Sequence, residues 1–168
     1  MEQISYPSGS QTITFISWKH NQDINIRIDN QNKMKTSMIV TSILGNNNKI
    51  LILNRSLSTK SMQNKWAGIS GYMEPGEDLL SRALIEINEE TKIDKHELIL
   101  SDILEQISVQ IKTDINFLIQ PFYFLSTTQN VILNWEHTKY RWINAIEIDM
   151  YEFVPRFEEI LKICFNKG

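Results

Sequence analysis

Polar and apolar residues alternate in two segments near the start of the chain, residues 12–18 and 24–28. A period of two is typical of β-strands with one face buried. A polar loop over residues 29–33 follows. The pattern predicts an N-terminal β extension over residues 1–34, which belongs to the same folding unit as a main domain over residues 35–168.

Further along the chain, apolar runs at residues 38–44 and 49–53 flank a turn, residues 45–48, that is rich in Gly and Asn. This arrangement predicts a β-hairpin. The polar segment 56–65 predicts a loop, and residues 115–125 and 140–143 predict two more strands, the first despite Pro121. Helical periodicity appears at residues 76–91 and 155–165, with Pro155 suited to a first turn. Together these elements predict one α+β domain.

Composition narrows the class of protein. The chain has 168 residues, of which 42% are hydrophobic, and a formal net charge of -3. This length suits one compact domain, and the charge disfavours a nucleic-acid polymer as the partner. No apolar run reaches the roughly 20 residues that span a bilayer, and the N-terminus lacks a signal-peptide pattern. We therefore expect a cytoplasmic protein without a membrane partner.

The single cysteine, Cys164, has apolar neighbours and is expected to be a buried structural residue.

The helix over residues 76–91 carries the candidate chemistry. At about 100° per residue, its Leu and Ala side chains form one apolar stripe that faces the core. Glu86, Glu89 and Glu90 fall on an adjoining arc, three and four residues apart, so their carboxylates converge. Such a cluster is either a solvated acidic face or a binding site for a hard cation such as Mg²⁺. The helix alone leaves both readings open.

The residues before the helix decide between these readings. Gly71 is followed after five residues by Glu77, and seven more residues lead to the run Ile85-Glu-Ile-Asn-Glu-Glu-Thr-Lys-Ile93. This spacing over residues 71–93 resembles the Nudix box of the Nudix hydrolases, and Trp66 and the Glu-Pro-Gly step at residues 74–76 are similar to the usual approach to that box. The resemblance implies the Nudix fold, an α/β/α sandwich with a mixed central sheet between helices.

The resemblance also implies roles for particular residues. Glu86, Glu89 and Glu90 bind Mg²⁺ or Mn²⁺, and Glu89 and Glu90 belong to the catalytic set. The backbone carbonyl of Ser70 completes the metal site, and Glu77 either supports the ligand geometry or contacts a metal. Bound metal would neutralise phosphate oxygens and position a water. Gly71 and Gly76 are expected to permit tight backbone turns.

Two residues depart from the family pattern: Ile85 replaces an arginine and Lys92 replaces a glycine. The family arginine pairs with acidic groups and orients the catalytic glutamate. Arg82, one helical turn before Glu86, either supplies that charge or is a surface arginine. Lys92 falls at the predicted helix end, where a left-handed backbone costs a lysine roughly 1 kcal/mol.

The sequence indicates substrate-binding residues less specifically than it indicates the metal site. Residues 135–142 read Trp-Glu-His-Thr-Lys-Tyr-Arg-Trp, similar to a segment of Nudix enzymes that act on dinucleoside polyphosphates and on nucleoside or pterin triphosphates. Within this segment Glu136 is a candidate metal ligand or general base. His137 is expected to form loop hydrogen bonds, and Tyr140 and Trp142 to share a core-facing side of a strand.

Further residues outside that segment, Arg82 among them, are candidates for substrate binding. Arg55 either binds a substrate phosphate or is a surface arginine. Tyr72 and Phe122 are candidates to border a base pocket.

These observations predict a Mg²⁺-dependent pyrophosphohydrolase that cleaves a phosphoanhydride bond in a nucleoside diphosphate-linked compound, preferably a dinucleoside polyphosphate or a nucleoside triphosphate. The alternative is a weak or inactive Nudix-fold sensor of a nucleotide or metabolite, which the missing arginine at Ile85 favours. The expected partner is a small nucleotide-like molecule. Assembly as a homodimer is open.

Overall fold

The structure is a computed structural model, and it describes residues 34–167. The strands predicted at residues 12–18 and 24–28 lie outside the described residues, as does the predicted N-terminal extension apart from Met34. In the part of the chain that the structure describes, no helix is both long and apolar enough to cross a membrane.

The described residues form one mixed sheet of eight strands. The strands are β1 (Lys35–Asn46), β2 (Lys49–Arg55), β3 (Trp66–Ala67), β4 (Ile69–Tyr72), β5 (Leu98–Ile103), β6 (Ile107–Lys112), β7 (Ile115–Ser126) and β8 (His137–Ile143). The main path runs β3-β2-β1-β7-β5, while β4 pairs with β1, β6 with β7 and β8 with β2. The β1–β7 pair is parallel over eleven residue pairs, and the other six pairings between these named strands are antiparallel.

The predicted hairpin is confirmed. Strands β1 and β2 meet at Asn46 and Lys49, and the two turn residues Asn47 and Asn48 both have positive φ, 50° and 58°. Two-residue turns with this backbone match the right-handed twist of the flanking strands, and asparagine tolerates them better than most residues. The run of asparagines in the sequence therefore fixes the register of the central strands.

Two helices cover opposite faces of the sheet: α1 (Leu79–Thr91) and α2 (Phe157–Phe165). Alternate residues of β2 divide between the two faces. Leu51 and Leu53 pack in the cluster that holds Ile87 of α1, whereas Ile50 and Ile52 pack in the cluster that holds α2. Since a strand presents successive side chains to opposite sides, a continuously apolar strand requires a cover on both faces. The predicted α/β/α sandwich is confirmed.

Several boundaries and elements differ from the prediction. Helix α1 begins at Leu79 rather than at residue 76, because Asp78 has an extended backbone and its carboxylate caps the Ser81 N–H at 2.9 Å. Helix α2 begins at Phe157, so Pro155 precedes the helix and does not lie in its first turn. Strands β5 and β6 were not predicted, although Ile107, Val109 and Ile111 of β6 do alternate with polar residues. Short 3-10 helices at Lys95–Glu97 and Ala145–Met150 were also not predicted.

Three details agree with what the sequence predicts. Lys92 ends α1 in the left-handed conformation, with φ 59°, and its N–H donates to the carbonyl of Asn88. Tyr140 and Trp142 are partly buried and both pack against the core on the α1 face of the sheet. Pro121 is tolerated in β7 because neither β5 nor β6 pairs with it: the β6 ladder ends at Ile119 and the β5 ladder begins at Phe122.

Candidate active site

Glu86 and Glu90 are buried although their carboxyl groups can ionise, whereas Glu89 is exposed. All three lie on α1, on an arc next to the apolar residues Ala83 and Ile87 that anchor the helix on the sheet. An ionised carboxylate inside a protein requires a compensating partner. The groups around Glu86 and Glu90 therefore determine whether these two carboxylates can bind a cation.

Glu86 lies directly against Gly71 of β4. A methyl group at position 71 would come within 1.7 Å of Glu86 Oε1 and 2.2 Å of its Cδ. Gly71 is not among the residues with positive φ, whereas Gly76 has a φ of +87°. The expectation of a tight turn is thus confirmed for Gly76 and wrong for Gly71, where the absent side chain makes room for the carboxylate.

Arg82 supplies the positive charge next to Glu86. Its Nη2 donates to Glu86 Oε1, and its Nη1 lies 3.6 Å from Glu77 Oε1. Burial raises the pKa of Glu86, and the guanidinium of Arg82 opposes that rise. Ile85, where the family has its arginine, is 40% exposed on the same helix. The geometry places Arg82 between Glu77 and Glu86, the position that the replacement hypothesis requires.

Glu77 lies at the turn before α1. Its Oε2 accepts a hydrogen bond of 3.2 Å from the Glu74 N–H, and its Oε1 faces Arg82. Both oxygens thus have partners within the loop and the helix. This arrangement favours the supporting role for Glu77 over direct contact with a metal.

Glu90 is the most enclosed acid of the group, with 1% of its surface exposed. Its Oε1 accepts a long hydrogen bond of 3.4 Å from the Ser70 N–H, and its Oε2 has no hydrogen-bond partner among the described residues. Burial raises the pKa of Glu90 well above its ordinary value, and the charges of Glu86 and Glu136 add to that rise. An orphaned buried oxygen of this kind is suited to a cation.

His137 lies beside Glu90, with 3.5 Å between its Nδ1 and Glu90 Oε2. Burial, with a smaller contribution from the charge of Arg55, lowers the pKa of His137 to about 4. The imidazole is therefore neutral at pH 7 and forms no ion pair with Glu90. Its backbone N–H donates to the Asn134 carbonyl of the preceding loop at 3.5 Å. Neither ring nitrogen has a hydrogen-bond partner among the described residues.

Glu136 and Arg55 approach the acidic helix from the other side of the cleft. Both line the same pocket as Glu86 and Glu89, and the backbone carbonyl of Glu136 accepts from the Ser56 N–H at 2.7 Å, which ties the two segments together. Glu136 is close enough to raise the pKa of Glu86 and Glu90, and Arg55 is close enough to oppose the rise at Glu90. The structure thus brings together the acids and the two arginines predicted for the site.

The pocket has a volume of about 370 Å³ and two chemically different ends. One end is lined by Arg55, Arg82, Glu86, Glu89 and Glu136. The other is lined by apolar residues of β1, β6, β7 and α2: Ile39, Val109, Ile111, Phe117, Ile119, Phe157 and Ile160. A charged end beside an apolar end suits a ligand with a polyanionic part and an organic part.

Tyr72 lines the pocket, as predicted, and is 54% exposed. Phe122 does not, because its side chain is 2% exposed in the core under α1. The aromatic neighbour of Tyr72 is instead Phe117, with ring centroids 5.9 Å apart and an angle of 80° between the planes. Phe117 and the Thr41 hydroxyl, which hydrogen-bonds to that of Ser70 at 2.9 Å, are site residues that the sequence analysis missed. The sequence does contain a signal for Phe117: it lies two residues from both Ile115 and Ile119, so all three side chains point to the same face of β7.

A comparison with protein-family models decides the identity of the domain. The model described as the NUDIX domain matches residues 34–162, which is most of the chain. The chain belongs to the Nudix family. The predicted family is thereby confirmed, and so is the predicted enzyme class, a hydrolase of pyrophosphate bonds. Nudix proteins generally use a divalent metal.

Solved structures with the Nudix fold agree. The MutT protein of Methanosarcina mazei Go1 is similar with a TM-score of 0.68 and 24% identity, over 80% of this chain and 96% of the other. An Ap4A hydrolase of C. elegans, solved as a binary complex, has a TM-score of 0.62 and 17% identity, over 75% and 93% of the two chains. The Nudix domain of Shewanella oneidensis NrtR, solved with ADP ribose, has a TM-score of 0.66 and 13% identity, over 79% and 88%. A search of curated protein sequences finds no match.

The acidic end of the Nudix pocket fits a divalent cation. Within residues 34–167, no three His, Cys, Asp or Glu side chains converge closely enough to bind a metal by themselves. Mg²⁺ does not require this, because it keeps several waters and is commonly held by one or two carboxylates together with substrate phosphates. The free Glu90 Oε2 and the buried Glu86 carboxylate provide hard oxygen donors of that kind.

Proposed function

We propose that this Nudix protein hydrolyses a phosphoanhydride bond in a nucleoside diphosphate-linked compound, with dinucleoside polyphosphates and nucleoside triphosphates as its preferred substrates. The observation that carries the proposal is the two-ended pocket, in which glutamates and arginines face each other beside an apolar cleft. The similarity to an Ap4A hydrolase and to the E. coli dihydroneopterin triphosphate pyrophosphohydrolase supports the same substrate class. Cytoplasmic location and assembly as a homodimer stay predictions.

Glu86, Glu89 and Glu90 are proposed to hold Mg²⁺, or Mn²⁺ in its place, with the Ser70 carbonyl as a further ligand. The metal, when bound, would neutralise phosphate oxygens and lower the pKa of a bound water. Metal specificity follows from the ligand type, because carboxylate and carbonyl oxygens suit Mg²⁺ and Mn²⁺.

Side chains of the protein are proposed to bind the substrate, accept a proton and hold the metal ligands in place. Arg55 is proposed to bind a substrate phosphate, since a guanidinium matches the geometry of two phosphate oxygens. Glu136 faces α1 across the pocket, and there it can accept the proton of the attacking water or act as a further ligand. Arg82 keeps Glu86 against Gly71, and Glu77 holds Arg82 and the Glu74 amide in place.

The test is a panel of nucleoside triphosphates, dinucleoside polyphosphates, nucleotide sugars and ADP-ribose, incubated with Mg²⁺ or with EDTA and read by chromatography. We expect Mg²⁺-dependent cleavage that is lost in the Glu89→Gln/Glu90→Gln variant. Saturable binding of one compound without any product would support instead a metabolite sensor, the function favoured by Ile85. Cleavage that survives EDTA or the double substitution would reject the proposed site.

A further inference from the structure

The apolar end of the pocket has a composition that bears on what it recognises. Its floor is the part of the sheet where β1 lies between β4 and β7. Ile39 and Ile119 are register partners across β1 and β7, and Phe117 and Val109 are partners across β7 and β6. The side chains of these four residues line the pocket, so the floor is aliphatic with one aromatic ring.

The backbone of this floor is already hydrogen-bonded. At Ile39 and Thr41, β1 pairs with β4 on one side and with β7 on the other. At Phe117 and Ile119, β7 pairs with β1 on one side and with β6 on the other. Strands paired on both sides have no spare N–H or C=O groups to offer a ligand.

The side chains likewise offer few polar contacts there. The hydroxyls of Thr41 and Ser70 hydrogen-bond to each other at 2.9 Å. Among the described residues that line the pocket, none is an asparagine, glutamine, aspartate or histidine, and the charged residues are the glutamates and arginines. Asparagine and glutamine, which read the edge of adenine, are therefore absent from the described lining. Arginine and glutamate can read guanine or cytosine, and all of these lining residues except Glu74 belong to the charged end.

An aromatic pair does stand at this end. Phe117 and Tyr72 meet edge to face, with 5.9 Å between ring centroids and an interplanar angle of 80°. Tyr72 is 54% exposed and Phe117 is half-buried, so both rings remain accessible to a ligand. In an edge-to-face pair the ring faces are not stacked on each other, and a flat ring can stack on one of them.

We propose that the apolar end holds the nucleobase by its faces, with Phe117 as the stacking residue, and that the enzyme therefore accepts different bases. This inference deepens the proposed function and relies on it for the position of the phosphates. A site that hydrogen-bonds a base rejects the wrong one strongly, whereas a site that uses stacking and apolar contact discriminates weakly. The pocket of about 370 Å³ lies near the lower end of small-molecule sites and suits one nucleoside.

Binding of nucleoside monophosphates tests the inference apart from turnover, because they contain no phosphoanhydride bond. Dissociation constants of AMP, GMP, CMP and UMP would be measured by isothermal titration calorimetry for the wild type, Phe117→Leu and Phe117→Tyr. We expect the four constants to lie within about tenfold of one another in the wild type. We expect Phe117→Leu to weaken all four by about tenfold, as loss of one stacking contact does. Phe117→Tyr keeps the ring and is expected to bind as the wild type does.

Three results would overturn the inference: one base bound more than about a hundredfold tighter than the rest, unchanged binding in Phe117→Leu, or faster hydrolysis of dimethylallyl diphosphate than of every nucleotide. The last result would assign the apolar end to a hydrocarbon group. Failure of the proposed function looks different. In that case no nucleotide is cleaved in Mg²⁺, while the monophosphates still bind with the expected pattern.

Discussion

Gly71 and Glu86 show how one missing side chain can shape a site. The carboxylate occupies the volume that a β-carbon would need, since a methyl at position 71 would lie 1.7 Å from Glu86 Oε1. Because Gly71 has an ordinary extended backbone within β4, the requirement for glycine is steric, and a sequence pattern alone does not distinguish this reason from a turn.

Gly71→Ala is therefore expected to displace Glu86 and to lower Mg²⁺-dependent turnover by about a hundredfold, the usual effect of a misplacement near 1 Å. Gly76→Ala is the matched control, because no atom of residues 34–167 lies within 4 Å of its added methyl and its φ of +87° is unfavourable. This control should lose about 1 kcal/mol of stability and keep its activity. Steady-state kinetics and thermal unfolding of both variants would check this, and equal activity of the two would contradict it.

At the residue scale, the sequence predicted the acidic cluster and missed part of the cleft. Glu86, Glu89 and Glu90 were found because helical spacing alone brings them together. Phe117 was missed and Phe122 was proposed in its place. They lie on opposite faces of β7 because one is at an odd and the other at an even position, and the sequence does not show which face α1 covers.

Helix α1 has an arginine next to Glu86, although not at the position of the family arginine. Arg82 is four residues before Glu86, so the two side chains are neighbours on the helix surface, and Arg82 contacts both Glu86 and Glu77. The family position, Ile85, lies beside Glu86 in sequence and therefore points about 100° away from it around the helix. An arginine one helical turn before Glu86 can therefore pair with it, whereas an arginine at position 85 would point to another side of the helix.

Arg82→Ala is expected to lower kcat by about tenfold or more, because groups that orient a ligand typically contribute that much. Arg141→Ala is the control, since Arg141 is an exposed arginine of β8 whose side chain, within the described residues, hydrogen-bonds only to a backbone carbonyl. Adding Ile85→Arg to the Arg82→Ala variant should restore part of the rate. An Arg82→Ala enzyme as active as the Arg141→Ala enzyme would show that Arg82 is a surface arginine.

At the element scale, the predicted elements were those with strong local signals. The hairpin turn has two asparagines at positive φ, and both helices have an apolar stripe. Strand β5 was missed because most of its residues are exposed at an edge of the sheet, so it has no buried face to impose a period of two. Helix starts were misplaced by two or three residues, because Asp78 and Arg156 have non-helical backbones.

At the scale of the whole molecule, the sheet separates the core under α1 from a second core under α2. Cys164 lies in that second core, under α2, with Ile160, Leu161 and Tyr123. Burial raises the pKa of its thiol to about 12. Since only the thiolate reacts with disulfide reagents, the folded protein has almost no reactive form at pH 8.

A thiol-labelling experiment with Ellman's reagent at pH 8 checks this packing. We expect negligible labelling of the native protein and complete labelling of one thiol per chain in guanidinium chloride, because unfolding returns the thiol to an ordinary pKa. The rate in native buffer then reports how often α2 leaves the sheet. Labelling of the native protein within seconds would contradict the buried position of Cys164.

The order of the strands could not be predicted from the sequence, because it depends on contacts between distant segments. Strands β1 and β7 are parallel neighbours separated by some 70 residues of chain, and this pair joins Ile39 to Ile119 under the pocket. The family resemblance supplied the architecture that local patterns could not. The apolar end of the pocket could not be predicted either, because residues of β6 and α2 contribute to its lining.

Direct measurement of Mn²⁺ binding tests the central claim, that α1 holds a divalent metal for the hydrolysis. The electron paramagnetic resonance signal of free Mn²⁺ would be followed while protein is added, for the wild type, Glu86→Gln/Glu90→Gln and Glu105→Gln, an exposed residue that does not line the pocket. We predict that the wild type and Glu105→Gln bind equally, and that the double substitution weakens binding by at least about tenfold. Equal binding by all three proteins would place the metal elsewhere and contradict the account.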